Sequence, residues 1–353
     1  MRIGIMASIG EGNLGDELIL EANLQELRRA FSGRALEIDV YSNDVAETKE
    51  RYVGVRVLPF VPVGLRSFFK CLFNGSLFRI FWALLKTEQV IVGGGGIFYS
   101  KEMNVGMNPI FVWWLRMQLV RLFGVKIHLV SVGIEQIEGN LNKWLMREIC
   151  KIADSVSVRD RGSVKALRAL GVGPEIDIWI MHDVVFDLDW YINQKESKKI
   201  GLIVRQWGEA GDLFWREVGR KLEEMGYELI WIAMSVRQPD DRKFIKEIGG
   251  RLWGGDFNKN GLQNLLAELG LIISVRLHGQ ITALKSGKRL LAVKYGNKTK
   301  SLVERFGVES VNIEDVTTEE LIEKVKKVWQ KDPVELKLPL LRHAEYYQRL
   351  FCD

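Results

Sequence analysis

The sequence predicts an α/β protein made of two doubly wound domains with parallel sheets. Three observations predict it. Short β-rich runs alternate with helical apolar periodicities, the rhythm restarts after one polar stretch, and glycine, arginine or histidine follows several strand ends. At 353 residues and 47% hydrophobic content the chain can fill two cores of ordinary domain size.

The strands of the first domain, residues 1–190, are expected at 2–8, 36–41, 55–58, 89–92, 126–133 and 155–158. Between the first two, Leu20, Leu24, Leu27 and Phe31 recur at spacings of four, three and four, a single apolar stripe of a helix that packs on the sheet. The polar segment Asp189 to Lys199, with Asn193, Gln194, Lys195, Glu196 and Ser197, reads as a linker. The second domain, residues 199–335, restarts with strands at 200–204, 229–233, 271–275 and 290–294. Residues 336–353 carry Leu340, Leu341, Tyr346, Tyr347, Leu350 and Phe351, read as a helix packing back on the first domain. In doubly wound sheets ligands bind at the carboxyl ends of the strands, so two such domains facing each other imply a cleft.

Composition narrows the function classes. A net charge of +5 without a block of five basic residues favours anionic small molecules or an anionic surface, not nucleic acid. Cys71, Cys150 and Cys352 are far apart with no C-x-x-C spacing, so neither a disulfide framework nor a thiolate metal site is indicated. No H-E-x-x-H or other ligand set implies a metal. The N-terminus enters a strand at once and lacks the features of a secretory signal, so a reducing cytoplasm is expected.

The most informative motif is Ser274-Val275-Arg276-Leu277-His278-Gly279. An apolar strand that ends on a cation, a titratable ring and free backbone N–H groups suits an anionic substrate and proton transfer. A lone histidine is more often packed than catalytic, and it is the company of Arg276 and Gly279 that raises His278. Arg205 closes the first strand of the second domain in the same way, and Arg159 does so in Ser157-Val158-Arg159-Asp160, where a guanidinium can match a carboxylate or phosphate bidentately. Surface pairing of Arg159, and an exposed loop position for Arg205, are the plainer alternatives. Lys298 follows the strand ending at Lys294 and can neutralise phosphate, or simply belong to a solvated face with Lys294 and Lys300.

Two glycine clusters complete the set. In Gly10-Glu11-Gly12-Asn13-Leu14-Gly15-Asp16 the glycines permit close approach to a ligand, with Asn13 and Asp16 as hydrogen-bonding groups; the alternative is a βα turn in which Asn or Asp caps the helix. In the Gly93 to Gly96 run, Gly94 and Gly95 are the expected ligand contacts and tight packing the alternative, while the lack of a following Gly-Lys-Ser/Thr excludes a P-loop. Phe68 to Leu85 is broken by Asn74-Gly75 and is no transmembrane span. With Phe111 to Leu115 it is expected to be core, the other reading being a basic, aromatic surface in peripheral contact with a membrane.

Taken together, Gly12 to Asp16, the glycine run with Phe98, Ser131-Val132-Gly133, Ser157 to Asp160 and Ser274 to Gly279 continuing to Lys298 resemble the polysaccharide pyruvyl transferases over nearly the whole chain. The nearest resemblance is to the cell-wall branch, which attaches pyruvate as a ketal to N-acetylmannosamine on a lipid-linked precursor. It implies two Rossmann-like domains facing across a cleft in the glycosyltransferase-B manner, phosphoenolpyruvate as donor, a glycan acceptor, no separate cofactor and loss of phosphate. It further implies acid/base work by His278 and an anion clamp from Arg159 and Lys298, with Arg205 and Arg276 supporting. A nucleotide-sugar glycosyltransferase and a glycan-binding protein without turnover are the rival readings; positive side chains at several strand tips disfavour the latter. Oligomeric state is not legible.

Overall fold

The computed structural model describes residues 1–100, 108–193, 195, 197–237, 239–338 and 341–352. Gln194 and Glu196 of the expected linker, and Leu340 of the terminal piece, lie outside the described residues. The chain divides into two compact units. Met1–Glu11, Ile19–Asp187 and Pro339–Asp353 make the first, Gly12–Leu18 and Leu188–Leu338 the second.

The first unit is organised on β1 (Arg2–Met6), β2 (Glu37–Ser42), β3 (Arg56–Pro59), β4 (Gln89–Phe98), β5 (Lys126–Ile134), β6 (Ser155–Val158) and β7 (Ile178–Ile180). Their order is β3-β2-β1-β4-β5-β6-β7, and neighbouring strands pair in parallel. The second unit holds β8 (Lys199–Ile203), β9 (Glu228–Trp231), β10 (Leu271–Ser274), β11 (Arg289–Lys294) and β12 (Ser310–Asn312), again parallel, in the order β12-β11-β10-β8-β9. The chain reverses its direction of winding between β1 and β4 in one sheet and between β8 and β10 in the other. Ligands of doubly wound sheets bind outside the carboxyl ends of strands at such switch points.

The strands read as continuous apolar runs because both faces of a parallel sheet are covered by helices; all four residues of β10 are buried. On the helix Leu14–Ala30 the predicted stripe of Leu20, Leu24 and Leu27 is buried, as is Phe31 just beyond it. Each such side chain contributes about 1.5–3 kcal/mol on burial, before the entropy of ordering it. Asp16 and Glu17 in the first turn and Arg28 and Arg29 in the last complement the helix dipole.

Three local features differ from the expectation. First, β4 does not stop at Val92 but continues through the glycine run, where Gly93, Gly94 and Gly95 have φ of 116°, 79° and 82°. A Cβ on Gly93 would lie 2.4 Å from Val132 Cγ1, and one on Gly94 would lie 2.3 Å from Ile19 Cγ2. Close packing, together with a backbone that L side chains rarely adopt, therefore accounts for glycine there. Second, β7 and β12 are additional edge strands of three residues each, too short to carry a period. Third, Phe68 to Leu85 is not simply core. It forms the helices Leu65–Phe73 and Ser76–Leu84 around a left-handed Gly75, and only Cys71, Ser76, Leu77, Ile80, Ala83 and Leu84 are buried within it. Trp113, by contrast, is core as expected.

The helix His343–Cys352 packs in the first unit, where Tyr346 and Tyr347 are buried and Phe351 stacks on Phe31. His343 Nδ1 lies 2.6 Å from Asp187 Oδ2, and its Nε2 lies 2.6 Å from Ser131 Oγ. Because a carboxylate only accepts, Nδ1 carries the proton and Nε2 accepts from the serine hydroxyl. His182 Nε2 sits 3.0 Å from the other oxygen of Asp187. Burial alone would raise the Asp187 pKa, but its two histidine partners carry it well below the usual carboxylate range. Ser131 itself holds a left-handed φ of 47°, a strained position that this buried network stabilises.

Candidate active site

In the second unit the carboxyl ends of β8, β10 and β11 bring together Arg205, Arg276, His278, Tyr295 and Lys298. The β10 run ends at Ser274, and Gln280 anchors the turn by donating from Nε2 to the Ser274 carbonyl at 2.8 Å. The helix Leu277–Lys285 starts immediately, with Arg276 as its N-cap and His278 in its first turn. Gly279 is the packing residue of this turn: a Cβ there would lie 2.5 Å from Ser274 Oγ and 2.7 Å from Ile203 Cδ1. Arg276 and His278, in contrast, remain half-buried.

Tyr295 is the centre of the cationic group. The Arg205 guanidinium carbon lies 5.0 Å from its ring centroid, Lys298 Nζ lies 5.1 Å from it, and Trp207 packs edge-on at 5.9 Å. Burial pushes the Tyr295 pKa up, but the charges of Lys298, Arg205 and Arg276 outweigh it and lower the net value. Three cations that together stabilise a phenolate will also stabilise a bound carboxylate or phosphate. Thr299 Oγ1 fixes the turn, accepting from Tyr295 N–H at 2.9 Å and donating to its carbonyl at 2.7 Å.

Arg276 is held by Asp241, a fully buried carboxylate that forms an ion pair with it. Asp241 Oδ2 also accepts the N–H groups of Met234 and Ser235 at 3.2 and 3.0 Å. That loop in turn binds the first glycine cluster: Leu14 N–H donates to Met234 O, Val236 N–H donates to Gly12 O, both at 2.8 Å, and Asn13 bridges Ser235. Asn13 caps its own helix, its Oδ1 accepting Gly15 N–H at 2.9 Å, which is the plainer of its two sequence readings. Asp16 follows in the first turn and is half-buried.

The reason for glycine at position 15 is direct. A Cβ there would lie 2.1 Å from His278 Nδ1, 2.6 Å from Cγ and 3.0 Å from Cβ. The imidazole thus rests against the bare backbone of the Gly12–Asp16 turn, a contact that no spacing in the sequence discloses.

The remaining predicted residues belong to the first unit. Arg159 is buried after β6, 3.6 Å from Asp160 and 3.4 Å from Asp183, and its guanidinium lies over Gly133, whose Cβ would be 2.4 Å from Cζ. Gly94 and Gly95 lie within β4, which β5 separates from β6 in the sheet order. Residues that sequence reasoning missed are Tyr295 as the hub of the cations and Asp241 as the anchor of Arg276. The signal for Tyr295 was present in its position one residue past the β11 strand; Asp241, 35 residues from Arg276, left none.

A family model described as polysaccharide pyruvyl transferase matches residues 13–297. No curated protein matches the chain. Among solved structures the chain is similar to UDP-GlcNAc 2-epimerase of Methanocaldococcus jannaschii (TM-score 0.61, 14% identity, covering 100% of this chain and 99% of that one). It is also similar to S. aureus MnaA solved with UDP (0.62, 14%, 100% and 98%) and to Anabaena HepE in complex with UDP and glucose (0.56, 12%, 99% and 94%). At such identities the likeness shows the fold, two Rossmann-like domains of the glycosyltransferase-B type.

Proposed function

Because the chain belongs to the polysaccharide pyruvyl transferase family, we propose that it moves the pyruvate of phosphoenolpyruvate onto a cell-surface polysaccharide precursor with release of phosphate. The acceptor in this reading is N-acetylmannosamine, lipid-linked as in the cell-wall branch, and the product a cyclic ketal through O4 and O6. The observation that carries it is the grouping of Arg205, Arg276 and Lys298 around Tyr295, with His278 on the same sheet edge.

The reaction needs a proton at the methylene carbon of the enol, bonds from two hydroxyl oxygens to C2, and rupture of the C2–O bond to phosphate. Of the two hydroxyl protons lost, one balances the new methyl group and the other leaves with phosphate. His278 suits the proton transfers because imidazole both accepts and donates near neutral pH. Lys298 and Arg205 would hold carboxylate and phosphate and neutralise the charge that grows on the leaving group. Arg276, already paired with Asp241, supports the loop more than it clamps. Arg159 retains the anion-binding role that the family resemblance gives it, tested separately by Arg159→Lys. The glycosyltransferase reading rests on fold alone and is not adopted.

The test is phosphate release from phosphoenolpyruvate with an N-acetylmannosamine-containing acceptor, run beside UDP-sugar donors. His278→Ala should keep the fold and lose about 10²-fold or more in rate. Parental activity in that variant, or turnover of UDP-sugar in place of phosphoenolpyruvate, overturns the proposal.

A further inference from the structure

The helices Leu65–Phe73 and Ser76–Leu84 carry two apolar faces where a core element needs one. Leu77, Ile80 and Leu84 of the second helix are buried in the first unit's core. Phe78, Trp82 and Leu85, at spacings of four and three, form a separate stripe that is 75%, 49% and 65% exposed. On the first helix Phe69 stacks on Phe73 at 6.3 Å, yet Phe73 is 84% exposed and Leu72 49%. Single exposed apolar residues are ordinary, but a contiguous run of large ones marks an interaction surface.

The charge pattern identifies the partner. No Asp or Glu occurs between Glu50 and Glu88, while Arg66, Lys70, Arg79 and Lys86 punctuate the aromatic stretch. Lys70, Arg79 and Lys86 are exposed and, among the described residues, in no ion pair; Lys86 Nζ lies 4.4 Å above the Trp82 ring. Aromatic rings on one face with basic groups beside them match the boundary between acyl chains and anionic headgroups. No helix among the described residues is long and apolar enough to cross a membrane, so the contact would be peripheral.

We infer that this helical pair docks the protein on an anionic lipid bilayer surface, with Phe69, Phe73, Phe78 and Trp82 at the acyl boundary and Lys70, Arg79 and Lys86 on the headgroups. The inference stands independently of the reaction proposed above.

The experiment is co-sedimentation of the full chain with vesicles of phosphatidylcholine alone or mixed with phosphatidylglycerol, with light scattering of the free protein alongside. Binding is expected to the mixed vesicles and to fall by about tenfold or more on phosphatidylcholine alone. Phe73→Ser/Phe78→Ser and Lys70→Glu/Arg79→Glu should each reduce partitioning by about tenfold or more while melting like the parent, since all four side chains are exposed. Absence of sedimentation with either vesicle, or undiminished sedimentation of both variants, overturns the inference. So does a dimer of the parent that Phe73→Ser/Phe78→Ser converts to monomer, which would assign the face to a second copy of the chain.

Discussion

Gly15→Ala isolates the contact on which the placement of His278 depends. The added Cβ would stand 2.1 Å from His278 Nδ1 and 3.0 Å from its Cβ, so rotation of the ring about its outer bond cannot clear it. Carbon contacts are optimal at about 3.5–4.0 Å, so the imidazole must retreat by more than about 1 Å, a displacement of the kind that costs about 10²-fold in rate. Stability should also fall, by the roughly 1–3 kcal/mol of such overpacking, offset in part because position 15 is helical, outside the left-handed region, where alanine is favoured over glycine by about 1 kcal/mol. The assay is the initial rate of phosphate release from phosphoenolpyruvate across a substrate series, paired with thermal melting. The expected variant melts cooperatively at or slightly below the parent, with kcat reduced about 10²-fold and the phosphoenolpyruvate KM little changed. A variant with parental kcat would refute the claim that the ring's seat against this turn matters.

Two further outcomes concern stability. Asp241→Asn removes the charge facing Arg276 while leaving that guanidinium half-buried, and should cost about 3 kcal/mol in urea unfolding; an unchanged midpoint would show that the pair does not anchor the Met234–Ser235 loop. His128 is held neutral, its pKa pushed down to about 4 by burial, with Asp154 opposing and Lys126 adding to the shift. The unfolded chain takes up this proton near the ordinary value of about 6.5. Stability from His128 is therefore full above that pH and declines as pH falls toward 4, by at most ~3 kcal/mol, and His128→Gln should flatten that part of the melting profile. An equal acid slope in parent and variant would move the effect to other groups.

Much of the architecture was legible because parallel strands covered on both faces leave unbroken apolar runs, as at Leu271 to Ser274, and because the Leu20–Leu24–Leu27 stripe has only one periodicity. Edge strands were not, since β7 and β12 have three residues each and no room for a period. The continuation of β4 through the glycine run is not legible in the sequence because its cause lies across the sheet, in Val132 and Ile19, and not in neighbouring residues. The site was legible as strand-end cations and an imidazole, yet its supports were not. Asp241 sits in a polar stretch like many others, and the contact of Gly15 with His278 joins positions at opposite ends of the sequence pattern. The same holds for the outward stripe of Phe78, Trp82 and Leu85, whose helical spacing fits core and surface equally well.

The histidine at the start of the terminal helix has a consequence for how the polypeptide is made. Asp187 and its partner His343 are separated by 156 positions, and the intervening stretch supplies nearly all of the second unit. A ribosome must therefore deliver that entire inserted unit before Tyr346 and Tyr347 can close the first one and before Ser131 meets its imidazole. The nascent N-terminal half waits with an open hydrophobic flank, and a fragment ending in the 189–199 stretch would retain that flank permanently.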